Sequence, residues 1–272
     1  QNVYKTLGVN AIEEIEANPY ILIDVANNVD FKLIDKMAMN LGFEYNNEKR
    51  IKSGIKYAIS KATANGHCAV LEDELYRFIK VLLGVENDEI EDSVIELKAK
   101  GEIVIEERED NNWIYLDSYY KAEENVANKL ITLDKARNMK HINDFEDELE
   151  KIEQKTDLIL SDKQKEAIEA VNDNNVCIIT GGPGTGKTTI IKVILELYKS
   201  KKRKTVLCAP TGRAAKRMTE TTGEEAKTLH RLLEIGKIEE ERTSKYNDFD
   251  VAPLDADVII VDEMSMVDLF LM

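Results

Sequence analysis

Between Val176 and Tyr198 the chain reads VCIITGGPGTGKTTIIKVILELY: an apolar run, a glycine-rich loop and an amphipathic stretch in unbroken succession. No other segment restricts the fold as strongly. The apolar run predicts a strand at Val176 to Thr180, and the stretch from Lys187 predicts a helix. Gly181, Gly182, Gly184 and Gly186 let the backbone enter positive φ and turn its N–H groups inward. Those donors and the positive end of the following helix suit the β- and γ-phosphates of a nucleotide. In the pattern G-x-x-x-x-G-K-T, the Lys187 ammonium reaches phosphate oxygens and the Thr188 hydroxyl is placed to ligate Mg²⁺. Gly182, Gly184, Thr185, Gly186, Lys187, Thr188 and Thr189 are therefore the candidate nucleotide-binding residues, with Lys187 also a catalytic candidate.

A second segment, DVIIVDE from Asp257 to Glu263, is a short apolar run ending in two carboxylates. It suits a buried parallel strand, and ligands of open α/β sheets bind at the carboxyl ends of their strands. Asp262 is the candidate metal ligand, and Glu263 the candidate catalytic group for the attacking water. With a further apolar run at Thr205 to Ala209, strands alternate with helices, which predicts an α/β P-loop NTPase fold with a parallel sheet.

Composition sets the outer limits. A chain of 272 residues has room for two or three small domains. No apolar run approaches the roughly 18 to 20 residues of a membrane span, and no signal-peptide pattern opens the chain, so the expectation is a cytoplasmic protein without membrane contact. Cys68, Cys177 and Cys208 are too few and too scattered for a disulfide framework or a zinc site. Cys177 and Cys208 fall in expected buried strands. Net charge is −15, but residues 1–155 hold 20 Lys and Arg against 32 Asp and Glu, and residues 156–272 hold 17 against 20. Local clusters decide contact with a nucleic-acid backbone. One lies at Lys199 to Lys204, which reads as a helix end, and another at Arg213, Lys216 and Arg217.

The front of the chain reads as helices. Phe31, Leu33, Ile34, Met37 and Leu41 carry a helical period that stops at Gly42, and a second helix is expected over Ile51 to Ala64. These make a domain of residues 1–65. Residues 66–140 offer two amphipathic helices, EDELYRFIKVLLG and EIEDSVIELKAKG, then EIVIEERED, a turn at Asn111-Asn112, and WIYLDSYY, which together predict a winged-helix shape. Its second helix carries Glu89, Glu91, Asp92 and Glu96, which repel phosphate, so packing or protein contact is favoured over DNA reading. A helix is expected from Tyr119 to Met139. Residues 141–157 read as an acidic linker, residues 158–272 as the nucleotide-binding domain, and Lys237 to Ala256 as a polar excursion.

Residues flanking the loop narrow the chemistry. The Gln164 amide in LSDKQKEAI offers both donor and acceptor to an adenine edge, and no guanine-reading N-K-x-D segment is present. In CAPTGRAAKRMTE, Pro210 stops a strand, and Thr211, Gly212 and Arg213 start a helix in a way that suits a DNA phosphate. Simple helix capping by Thr211 is the alternative.

Taken together, LSDKQKEAI, GGPGTGKTT, APTGRAAKRM, TLHRLL at Thr228 to Leu233 and VIIVDEMSMVD resemble the first, RecA-like motor domain of superfamily 1 DNA helicases, most closely the RecD-like branch. NPYILID, FKLIDKMAMNLGF, RIKSGIKYAI and the Gly66-His67 pair resemble the helical-hairpin and winged-helix region that precedes that motor. The resemblance implies ATP and Mg²⁺ as cofactors and ATP-driven 5′ to 3′ translocation along single-stranded DNA. It further implies duplex unwinding at junctions of single- and double-stranded DNA in recombination and repair. Pro210, Thr211, Gly212, Arg213 and His230 become candidate DNA contacts, and the repair subunits of an exodeoxyribonuclease V type complex become candidate partners. Asn27 to Phe31 departs from the family's glycine-bearing hairpin. The chain also starts at Gln1 and stops at Met272, soon after Glu263, so it reads as a fragment whose sheet is incomplete at its C-terminus and which by itself at most binds nucleotide. Two other readings stay open: a subunit-docking scaffold, and a P-loop phosphotransferase.

Overall fold

The computed structural model describes residues 6–25, 29–136, 141–235 and 253–272. Asn27, Asn28 and most of the Lys237 to Ala256 stretch lie outside these residues. The chain divides into two compact units, Gln1–Asn125 and Val126–Met272. No described helix is long and apolar enough to cross a membrane.

The first unit begins with helices α1 (Ala11–Ala17), α2 (Ile21–Val25), α3 (Phe31–Asn40) and α4 (Glu48–Ala64). Asp30 and Asn47 start α3 and α4 by accepting from the backbone N–H two residues on. On α3, Phe31, Ile34 and Ala38 are buried, whereas Leu33 stays 67% exposed, because a residue two positions from Phe31 points away from that face. Strand β1 (Ala69–Leu71), helices α5 (Glu72–Leu83) and α6 (Asn87–Ala99), and strands β2 (Ile103–Arg108) and β3 (Asn111–Leu116) follow. Ile51, Ile55 and Ile59 of α4 meet Leu75, Ile79 and Leu83 of α5 and Ile90, Val94 and Leu97 of α6 in one core. Each such side chain contributes about 1.5–3 kcal/mol by leaving water.

The strands form an antiparallel sheet in the order β1-β3-β2. Its hairpin turns at Glu109-Asp110, both at positive φ, instead of the expected Asn111-Asn112. Packing decides the register: Ile105 lies opposite Ile114 and Ile103 opposite Leu116. A two-residue turn at Asn111-Asn112 would set Ile105 against Ser118 and break that apolar face.

Helix α7 (Asp117–Asp134) precedes α8 (Phe145–Thr156), α9 (Asp162–Asp173) and α10 (Lys187–Ser200). The stretch expected as an acidic linker is thus largely α8. Its Leu149 and Ile152 are buried in one core with Val193 and Leu197 of α10. The apolar stripe is only Phe145, Leu149 and Ile152 wide, and the surrounding acids hide it from a compositional reading. Strand β4 (Thr205–Ala209), helix α11 (Gly212–Thr222), strand β5 (Ala226–Thr228), helix α12 (Leu229–Leu232) and strand β6 (Val258–Val261) complete the unit. The sheet is parallel, in the order β5-β4-β6.

Val176 to Thr180 form no ladder with another strand among the described residues. Ile179 packs on the same core as Val258 and Ile260, but Ile178 is 88% exposed and Cys177 is exposed, against the expectation of a buried strand. A central strand needs cover on both faces, and among the described residues this segment has it on one.

Candidate nucleotide and DNA site

The glycine loop opens α10 directly, with Gly186 as the N-cap at φ +84° and Gly184 at φ +77°. A side chain at Gly186 would collide with the Gln164 amide, and one at Gly181 would meet Thr185 Oγ1 at 2.7 Å. The Thr185 hydroxyl donates to the Gly182 carbonyl at 2.9 Å. The Lys187 ammonium donates to the carbonyls of Gly181 and Gly182, the latter at 2.9 Å. The lysine therefore already spans the mouth of the loop, where it would meet phosphate oxygens. Gln164 lies on the first turn of α9 in a capping box with Ser161, its Oε1 accepting from the Ser161 amide at 2.9 Å. Its Nε2 donates to the Thr185 carbonyl at 3.3 Å. One N–H and one lone pair of the amide remain for a base. Thr188 and Thr189 sit half-buried on the first turn of α10.

Asp262 and Glu263 follow β6 at the carboxyl end of the sheet. The Asp262 amide donates to the Cys208 carbonyl at 3.0 Å, so the carboxylates are tied to the end of β4. Asp262 Oδ1 accepts from the Glu263 amide at 2.9 Å, and Glu263 takes a left-handed backbone at φ +54°. A non-glycine residue there is uncommon and marks a position that its surroundings hold in place. Among the described residues no group of three His, Cys, Asp or Glu could bind a metal alone.

At the same sheet edge, β4 and β5 end level, Ala209 opposite Thr228. Pro210, Thr211, Gly212 and Arg213 leave β4, while His230 sits just beyond β5. Thr211 caps α11 by accepting from the Ala214 amide at 3.2 Å, and its hydroxyl proton remains available to an acceptor. The capping reading of Thr211 is thus observed. Gly212, Arg213 and His230 are exposed, as are Lys216 and Arg217. Arg213 and Arg217 have no carboxylate partner among the described residues, whereas Lys216 lies 3.8 Å from Glu220. In the other basic cluster three of the five cations are paired: Lys199 with Glu224, Lys201 with Asp144, and Lys204 with Asp255. Sequence reasoning passed over Ser161 and Glu153, although the S-x-x-Q spacing of Ser161 and Gln164 is a readable capping box.

A glycine loop that opens a helix, set beside the carboxyl edge of a parallel sheet, defines a P-loop nucleotide-binding fold. A family model described as an AAA domain matches residues 164–272, and one described as the ATP-dependent RecD2 DNA helicase HHH domain matches residues 1–69. Over nearly its whole length the chain is thus similar to a RecD-like DNA helicase. It is 29% identical over 291 residues to the ATP-dependent RecD2 DNA helicase of Deinococcus radiodurans, a match covering 98% of this chain and 37% of that protein. It is 36% identical over 181 residues to the RecBCD enzyme subunit RecD of Buchnera aphidicola subsp. Acyrthosiphon pisum, covering 58% and 28%. The RecBCD enzyme subunit RecD of Mycobacterium tuberculosis is 33% identical over 186 residues, covering 60% and 30%. The chain thus spans roughly a third of the length of these relatives.

Proposed function

We propose that these residues belong to an ATP-dependent DNA helicase that couples hydrolysis to 5′ to 3′ translocation on single-stranded DNA and to duplex unwinding in recombination and repair. The observation that carries the reading is the placement of Lys187 in the loop mouth at the head of α10, with Asp262 and Glu263 on the carboxyl edge of the adjoining sheet. Lys187 would exchange the Gly181 and Gly182 carbonyls for β- and γ-phosphate oxygens, while the loop amides hold the same oxygens by their N–H groups. Thr188 and Asp262 would hold Mg²⁺, which on binding neutralises charge that develops on the transferred phosphoryl group. Glu263 would orient the attacking water and take up its proton, and the free valences of Gln164 would meet the adenine edge.

Arg213, Thr211 and the α11 amides would hold a DNA phosphate, with His230 beside them, at single strands and at junctions with duplex. Repair-complex subunits join the reading as partners because two relatives are named as RecBCD enzyme subunits. A cytoplasmic location belongs to the same proposal. For the 272 residues alone the proposal is limited to binding Mg·ATP without rapid turnover.

The test is ATP hydrolysis by the full-length protein with and without single-stranded DNA, beside Lys187→Ala and Glu263→Gln. Stimulation by single strands in the wild type, with both variants at background, supports the motor. A wild type indifferent to any DNA removes the helicase reading and leaves docking or phosphotransfer.

A further inference from the structure

Glu153, near the end of α8, reaches across to the segment that precedes α9. Its Oε1 accepts from the Leu160 amide at 2.8 Å and its Oε2 from the Lys165 ammonium at 2.8 Å. Residues 160 and 165 bracket the capping box of Ser161 and Gln164, so one carboxylate grips both sides of it. Leu160 is buried, which adds an apolar anchor at the same point. From inside the bracket, the Gln164 amide donates to the Thr185 carbonyl and fills the space that a side chain at Gly186 would need. Thr185 in turn bonds Gly182. Hydrogen bonds on chain-neighbouring residues therefore link α8 to the phosphate loop.

We propose that Glu153 is a positioning residue for the phosphate loop: through Leu160, Lys165 and the Ser161–Gln164 box it fixes the amide that sets the Thr185 carbonyl. Held this way, the loop keeps its N–H groups converged before any nucleotide arrives, and less ordering remains for binding to complete. Loss of Glu153 frees Gln164 to swing away and lets the loop sample other turns. The proposal deepens the nucleotide reading and rests on it for its binding arm only.

Two measurements on the 272-residue chain test it. The first is hydrogen exchange of the nucleotide-free protein, comparing peptides over residues 181–186 with those over β4. The second is binding of a fluorescent ATP analogue with Mg²⁺. Both compare wild type with Glu153→Ala, Glu153→Gln, Gln164→Ala and the double alanine variant. Glutamine retains an oxygen for the Leu160 amide, so Glu153→Gln is expected to stay within about twofold of wild type, whereas Glu153→Ala weakens binding at least about fivefold. The double variant is expected to bind no worse than Gln164→Ala alone, because Glu153 acts only through Gln164. Exchange in Glu153→Ala should quicken over 181–186 and stay unchanged in β4. Unaltered loop exchange, exchange that rises equally across the unit, or losses that multiply in the double variant would each overturn the proposal. If the wild type binds no nucleotide while loop exchange still responds to Glu153→Ala, the nucleotide reading fails and the positioning role stands.

Discussion

Gly186 holds φ +84° with the Gln164 amide standing where its side chain would go, so two separate demands favour glycine. A left-handed backbone costs a non-glycine residue about 1–2 kcal/mol, and the collision adds to it locally. Gly186→Ala is therefore expected to melt within a few degrees of wild type yet lose at least about tenfold in affinity for an ATP analogue, as isothermal calorimetry would read. Unchanged affinity would mean that the loop tolerates displacement. The cysteines make a second residue-scale test. Cys177 is exposed and Cys68 half-buried, while Cys208 is buried and burial pushes its thiol up to about 11. A maleimide at pH 8 should label Cys177 first and spare Cys208 until the protein unfolds, and mass spectrometry of timed samples would show the order. The glycine loop that opens a helix at Lys187 was legible in the sequence because it depends on spacing along one segment. The exposure of Cys177 was not, since it depends on what lies across from the segment.

At the scale of elements, α3, α4 and the end of α5 are joined by a buried charge. Arg50 is 2% exposed, with Nε and Nη2 on the Asp35 carboxylate at 2.8 and 3.0 Å and Nη1 on the carbonyls of Tyr45 and Leu83. The Tyr20 hydroxyl also donates to Asp35, at 2.7 Å. Asp35→Ala strands the guanidinium and is expected to cost about 3–5 kcal/mol in urea unfolding; a loss below about 1 kcal/mol would show that water reaches Arg50. In the second unit, α8 is fastened by carboxylates. Glu153 is held below its usual range by Lys165 and then by the Leu160 amide, Glu148 by Lys151, and Asp144 by Lys201. A lowered folded value gives stability that is complete above the usual 4.5 of a glutamate and disappears as pH falls through the lower folded value. Protection of residues 145–156 relative to the intrinsic exchange rate should therefore fall below about pH 4.5, with a weaker acid response in Glu153→Gln. An acid profile identical in the two proteins would sever Glu153 from that stability. The helices were readable from their period and caps, but α8 and the hairpin turn were not. A three-residue apolar stripe among acids and a register chosen by Ile105 against Ile114 acquire meaning only once the partner surface is present.

At the scale of the molecule, residues 1–125 enclose a core that runs from Tyr20 to Ile114, with its own sheet and caps. Expressed alone, this part is expected to melt cooperatively, with calorimetric and van't Hoff enthalpies in agreement; a gradual, non-cooperative melt would tie its stability to the rest of the chain. The sequence by itself determined the class of fold, the loop that would hold phosphate and the strand that delivers Asp262 and Glu263. Each of these is written in a local pattern of glycines, apolar period and charge. The tertiary structure alone decided that the stretch before Ser161 is a packed helix whose Glu153 grips the cap of α9, and that Gln164 reaches Thr185. It also decided that Ile179 packs on the core beside Val258 and Ile260 without Val176 to Thr180 pairing to a strand among the described residues. Contacts between residues far apart in the chain depend on which surfaces meet, and a sequence pattern carries only one side of each meeting.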